Sequence, residues 1–377
     1  MNKCLIVTTV GVTIKAFLLP HIEYLKKQGY SVEVASNFDD IRDEAYKLIE
    51  GTNVVMHQID FTRSPKSIPS HFKSYKQIAS LINSEKYNKI FVHTPIAAFL
   101  TRKAAYRSGA EVTYFAHGLH FYNGAPMHNW LIFETIEKVA LKWTDNVVTI
   151  NQEDYDYFMR VKPDRVNLCK IPGIGLSKSF MIKLEQNQDS LDESFGIHAD
   201  DLLVLSIGEL NENKNHILAI KAMKNLIEKN KKVKYIILGT GDRLNEYQEY
   251  IAENNLENNI FFGGYQSNVV PFLERTDLFL SCSYREGLPV SVLEAMATKK
   301  PVLLSNIRGH VDLIKNDKFI YDIKSISPEG LANHIENLIS DKHELEEEGI
   351  RNYNMSSKYQ LDNVFIALND VYCQNED

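Results

Sequence analysis

The sequence predicts an α/β protein of two similar domains, each a doubly wound parallel sheet with helices on both faces. Three observations predict it. Short apolar runs alternate with helix-length amphipathic segments along almost all of the 377 residues. Most of these runs lack polar alternation, the pattern of strands covered on both faces. The alternation then starts afresh after a polar stretch at residues 181–201. Length agrees, since roughly 100–200 residues make one domain.

Taken in order, residues 4–10 read as a first buried strand. The run is short for a signal-peptide core, lacks a small-x-small cleavage site and passes straight into a patterned helix. Further strands follow at 31–35, 54–58, 89–93, 111–116, 146–150 and 167–171, with helices at 14–27, 70–84, 97–108 and 129–143. The second series places strands at 202–207, 234–238, 260–262, 278–282, 302–305 and 319–321. Its helices fall at 218–229, 244–253, 269–274, 290–298 and 329–340. An amphipathic helix at 356–373 has no strand after it and is expected to pack back on the first domain. The expected domains are therefore 1–180, with about 356–377 returning to it, and 181–355. Ligands of such sheets sit beyond the carboxyl ends of the strands, so a cleft between two facing domains is the expected site.

Composition narrows the function. At 44% hydrophobic and 24% charged residues, wholesale disorder is excluded. No apolar run approaches the roughly 18–20 residues that span a bilayer. A net charge of -7 argues against a general nucleic-acid binder. Cys4, Cys169, Cys282 and Cys373 lack zinc or CxxC spacing and read as reduced thiols of a cytosolic protein. The charge is uneven: residues 1–180 carry 22 Lys+Arg against 17 Asp+Glu, residues 181–377 carry 20 against 32. In the basic half, Lys73, Lys76, Lys86, Lys89, Arg102, Lys103 and Arg107 mix with Phe72, Tyr75 and Tyr87. That mixture suits an anionic membrane surface.

The segment Arg285-Glu286-Gly287-Leu288-Pro289, running into a helix that holds Glu294, carries the most chemistry. Pro289 suits a helix start, Gly287 admits close backbone approach, and the helix N-terminus offers free amides to an anion. Carboxylates at Glu286 and Glu294 can take hydroxyls on either side of a bound diphosphate. His117 follows the strand at 111–116 and so stands at a carboxyl end. Gly239-Thr240-Gly241 is a fragment of a dinucleotide fingerprint, weak alone. Asp154-Tyr155-Asp156 matches a D-x-D metal pattern but sits at a helix start, where acidic residues are common. Residues 121–126, aromatic and punctuated by Gly and Pro, suggest with Trp130 a flap, which the resemblance given below would place on the acceptor side.

The E-x7-E spacing of Glu286 and Glu294 resembles that of retaining glycosyltransferases of family 4. So do, in order, residues 9–14, 93–95, 116–122, 150–154, 171–175, 208–216 and 239–241. The resemblance covers nearly the whole chain and is to enzymes of bacterial capsule and exopolysaccharide assembly. It implies the GT-B fold, two Rossmann-like domains across a cleft. It implies transfer of a hexose or N-acetylhexosamine from a nucleotide diphosphate sugar, most simply a UDP-sugar, to a lipid-linked saccharide, with no metal and no cofactor. The catalytic residues carried over are His117 near the anomeric centre, Glu286 on the transferred sugar and Lys214 on the diphosphate. Glu294 would hold the ribose, and the amides of Gly287 and Leu288 the distal phosphate. Gly11, Gly241, Tyr265 and Arg285 would line the substrate. Glu209 departs from the pattern, because many relatives carry Arg there as a second diphosphate clamp. Location at the cytoplasmic face of the membrane is expected. The alternatives are an epimerase or hydrolase of the same fold, or a non-catalytic nucleotide-sugar-binding subunit.

Overall fold

A computed structural model describes residues 2–39, 41, 43–187, 191 and 195–373. It divides into two compact units, one of residues 1–174 with 364–377, the other of residues 175–363. The first therefore ends at Ile174 rather than at 180.

The first unit holds seven strands: β1 (Lys3–Val10), β2 (Ser31–Asn37), β3 (Val55–Gln58), β4 (Lys89–His93), β5 (Glu111–Ala116), β6 (Asn146–Thr149) and β7 (Asn167–Lys170). They pair in parallel in the order β3-β2-β1-β4-β5-β6-β7. The central strands are apolar end to end because helices cover both faces: Leu5, Val7, Ile90, Val92, Val147 and their neighbours are fully buried. The second unit holds β8 (Leu202–Ile207), β9 (Val233–Leu238), β10 (Ile260–Gly264), β11 (Leu278–Ser281), β12 (Val302–Ser305) and β13 (Ile320–Tyr321). Their order is β10-β9-β8-β11-β12-β13, again all parallel.

Both sheets reverse their winding direction at one place, between β1 and β4 and between β8 and β11. A crevice opens beyond the carboxyl ends at such a point, which is where ligands of doubly wound sheets bind.

Several elements differ from expectation. The stretch at 181–201 is not wholly a linker, since Lys178–Gln186 is helical and capped by Ser177, whose hydroxyl accepts from the Phe180 amide. A helix at Lys342–Ser356 went unseen, and the one expected at 356–373 is broken by a tight turn at Ser357–Tyr359 before Leu361–Tyr372. The segment 342–356 is too polar and charged to show an apolar stripe, and its Gly349 admits the Lys299 carbonyl, 2.2 Å from where a Cβ would stand. The basic-aromatic group also divides. Arg102 is fully buried in a bidentate pair with Glu137 at 3.1 Å. Lys89 is buried with its ammonium on the Val371 carbonyl, and Tyr87 donates to Glu33. These three belong to the interior and not to a membrane-facing surface. All four cysteines are free thiols, with Cys4 and Cys282 buried.

Candidate functional site

The second reversal point gathers chemistry from two loops. Gly208 to Lys214 follow β8, and Cys282 to Glu286 follow β11. The Lys214 Nζ donates to Glu286 Oε1 at 2.7 Å. The loops are held together by their own bonds: Asn213 Nδ2 donates to the Arg285 carbonyl at 2.9 Å, and the Tyr284 amide to the Asn213 carbonyl at 2.8 Å. The Lys214 amide is held by Asn211 Oδ1 at 3.0 Å. Asn211 also donates to Glu209, which is exposed, so this departure from the family pattern turns its carboxylate to solvent and to Asn211.

A helix, Val290–Ala297, starts immediately after Pro289. Among the described residues the amides of Gly287 and Leu288 make no hydrogen bond. Two free donors ahead of a helix N-terminus, with an ammonium beside them, form an arrangement that receives an anion. Arg285 is half-buried with no ion pair among the described residues. A third loop completes the wall. Gly309 (φ 84) stands where a Cβ would lie 2.4 Å from the Gly287 carbonyl, and Arg308 Nε donates to the Glu286 carbonyl at 3.3 Å. His310 is fully buried between Ser281 and Ser305. Gly241 lies flush on the Leu210 backbone, 2.3 Å from its carbonyl oxygen at the Cβ position. Tyr265, beyond β10, is exposed.

The two glutamates differ. Burial would raise the Glu286 carboxyl, but the Lys214 ammonium and the nearby His310 outweigh it and hold the carboxyl below its ordinary value. Glu294, one and a half turns into the helix, has no hydrogen-bond partner or ion pair for its carboxylate among the described residues. Burial pushes it up to about 7, weakly opposed by Lys183. Burial also lowers His310 to about 4.

Gly11 and His117 belong to the first unit. Gly11 follows β1, where a Cβ would meet the Phe38 ring at 2.5 Å, so packing accounts for this glycine. His117 follows β5, and its Nε2 shares a 2.8 Å hydrogen bond with Nδ1 of buried His93 at the end of β4. The two rings stack at 5.1 Å. Burial, with a smaller contribution from His21, lowers His117 to about 4 and keeps it neutral near pH 7. The sequence offers His93 only as the start of the matching run 93–95 and gives no sign of Arg308 or His310; the fold brings all three to strand ends. Asp154 of the D-x-D run is buried, accepting from the Leu119 amide and from Asn151 Nδ2, while Asp156 accepts from Gln152.

The sequence matches two family models, one for glycosyl transferases group 1 over residues 187–354 and one for glycosyl transferase 4-like proteins over residues 4–151. It is 32% identical over 344 residues to EpsD of Bacillus subtilis (strain 168), a provisionally named glycosyltransferase, covering 89% of this chain and 87% of that one. It is 26% identical over 284 residues to the UDP-Gal:alpha-D-GlcNAc-diphosphoundecaprenol alpha-1,3-galactosyltransferase of Escherichia coli, covering 73% and 72%. Among solved structures, Anabaena HepE in complex with UDP and glucose superposes with a TM-score of 0.75 at 17% identity, covering 98% of this chain and 99% of that one. The paired parallel sheets are thus those of the GT-B fold, and the chain belongs to the family 4 (group 1) glycosyltransferases.

Proposed function

We propose that the protein is a retaining glycosyltransferase of surface-glycan assembly. It moves a hexose or N-acetylhexosamine from a UDP-sugar to a lipid-linked saccharide at the inner face of the cell membrane. The observation that carries this is the Lys214–Glu286 pair at 2.7 Å beside the free amides of Gly287 and Leu288. The distal phosphate of the donor sits on those amides and on Lys214. Glu286 then accepts from hydroxyls of the transferred sugar, and Glu294 from the ribose. As the bond from the anomeric carbon to the phosphate oxygen breaks, Lys214 stabilises the charge left on the diphosphate. The acceptor oxygen bonds to the same face of that carbon and passes its proton to the departing phosphate. His117, neutral and positioned by His93, donates to the sugar or its phosphate. Lys214 and the amides neutralise the leaving group, so transfer continues in excess chelator.

The relatives support the donor and acceptor class. HepE binds UDP and glucose, and the Escherichia coli enzyme joins galactose from UDP to a diphosphoundecaprenol-linked sugar through an α linkage. The exposed Phe72, with Lys76 4.5 Å from its ring centroid, offers a contact to anionic headgroups. No helix among the described residues is long and apolar enough to cross a membrane. The test is a thermal-shift panel of UDP-, GDP-, ADP- and dTDP-sugars, followed by transfer to lipid-linked saccharides in membrane extracts. UDP-sugars alone are expected to stabilise the fold by mass action. Glu286→Ala should abolish transfer while UDP binding stays measurable; full turnover in that variant overturns the assignment.

A further inference from the structure

The first unit contains a cavity of about 300 Å³ that the donor chemistry does not use. Its walls come from the loop after β5 and from the helix Gln152–Val161 that follows β6. The sequence builds it rigidly. Asn151 caps that helix by accepting from the Asp154 amide at 2.8 Å. The two acidic residues of the first turn then pin the loop: Asp154 accepts from the Leu119 amide at 3.2 Å, Glu153 from the Asn123 amide at 2.6 Å. Side chains acting on the backbone of the facing loop hold the cavity open.

Its lining is mixed. Phe121, Trp130 and Tyr157 present aromatic surface, with Phe121 5.2 Å from Trp130 and 4.8 Å from Tyr157 between ring centroids. Arg160 lines the same space and is exposed, without an ion pair among the described residues. Tyr157 is only 5% exposed, yet its hydroxyl has no hydrogen-bond partner among the described residues. Aromatic faces beside a few fixed polar groups fit the apolar face and hydroxyl rim of a sugar ring. An unpaired guanidinium fits a phosphate.

The helical segment that supplies Trp130 adds a second observation. It opens into a π-helical turn over Trp130–Glu134, a distortion often found at functional sites. On its outer side Met127, Leu131 and Ile132 are 75%, 69% and 52% exposed, although a soluble surface gains nothing from three such side chains together. An aromatic, sugar-sized cavity thus has Arg160 on one wall and, on the segment that supplies Trp130, an exposed apolar ridge. An acceptor that is a sugar, then a diphosphate, then a polyprenyl chain carries these three chemistries in that order.

We infer that this cavity is the acceptor's saccharide subsite, with Arg160 on its diphosphate and the Met127–Leu131–Ile132 ridge against its lipid. The inference rests on the proposed transfer to a lipid-linked saccharide. It is tested first by binding. The chain has two tryptophans, so Trp143→Phe leaves Trp130 as the only reporter. Titration with a saccharide diphosphate on a short alkyl chain (glucose, galactose, N-acetylglucosamine and N-acetylgalactosamine forms) should change Trp130 emission saturably for at least one sugar. Arg160→Ala in that background should weaken this binding at least tenfold while leaving UDP affinity within twofold. In the transfer assay Trp130→Ala and Arg160→Ala should raise the acceptor KM at least tenfold and leave the UDP-sugar KM unchanged. Arg160 is exposed, so its variant also guards against a folding defect in Trp130→Ala. The double variant Leu131→Ser with Ile132→Ser should raise KM for the full-length carrier in phosphatidylglycerol vesicles at least fivefold more than for the short-chain probe. If wild-type protein transfers sugar and the acceptor KM stays within twofold in both Trp130→Ala and Arg160→Ala, the subsite is wrong and the proposed function stands. If wild-type protein transfers to neither acceptor from any UDP-sugar, the proposed function falls and the subsite with it.

Discussion

Lys214 and Glu286 meet at 2.7 Å, and the Lys214 ammonium helps hold the Glu286 carboxyl in its charged form. The two side chains are therefore already paired in the folded chain, and removing one member strands the other. Lys214→Ala should lower kcat by about 10²–10³, the scale for losing one preorganised charge donor, with steady-state kinetics as the check. Glu294 behaves oppositely. Its carboxyl is raised from an ordinary 4.5 to about 7 by burial. Below about pH 4 it is protonated in folded and unfolded chain alike and has no effect on stability. Between 4.5 and 7 the unfolded chain ionises first, so stability falls as pH rises. Above 7 the full penalty, on the order of 3 kcal/mol, remains. Glu294→Gln should therefore raise Tm at pH 8 and leave it unchanged at pH 4, while weakening nucleotide binding. Equal shifts at both values would contradict this account.

At the scale of elements, the functional loops are fitted to one another through backbone contacts that leave no room for a β-carbon. Gly309 is in the left-handed region and abuts the Gly287 carbonyl. Gly309→Ala should cost roughly 1–3 kcal/mol in urea unfolding and displace the backbone of Gly287. All thirteen strands were legible, because an apolar run between amphipathic segments has few other readings in a wound sheet. What escaped were elements whose burial is indirect. Of the buried residues of the helix Lys342–Ser356 only Leu345 is a large apolar one, while Glu348, Gly349, Asn352 and Ser356 carry no apolar signal. The E-x7-E spacing singled out the glutamates and the family resemblance Lys214, and the fold brings Lys214 and Glu286 within 2.7 Å. The pairing of His93 with His117 was not legible, because it crosses 24 residues and exists only once β4 and β5 lie side by side.

For the whole molecule, charge counted along the chain misled where burial intervened. Arg102 and Lys89 look like surface cations in sequence but are buried, Arg102 paired with buried Glu137 and Lys89 with half-exposed Glu111. The helix Leu361–Tyr372 returns its later residues to the first unit. Tyr372 is buried there, 5.1 Å from the Phe91 ring centroid, with its hydroxyl 2.7 Å from His21 Nδ1. Tyr372→Ala should destabilise the first unit by about 3–5 kcal/mol. Hydrogen exchange should then show lost protection in β4 and β5 before any loss in β8 to β12.

Tyr372 also bears on the order in which the protein is made. Domains usually fold as they emerge, the first synthesised being the first finished. Here residues 1–174 leave the ribosome with the aromatic face around Phe91 and Phe115 uncovered. They must wait through the synthesis of the second unit, itself one unbroken stretch of chain, for the helix that covers that face. The second unit can thus be complete while the first is still open, and a chain stopped at residue 363 would carry a finished second unit and a first unit with an unsealed apolar surface, the form that chaperones and proteases recognise.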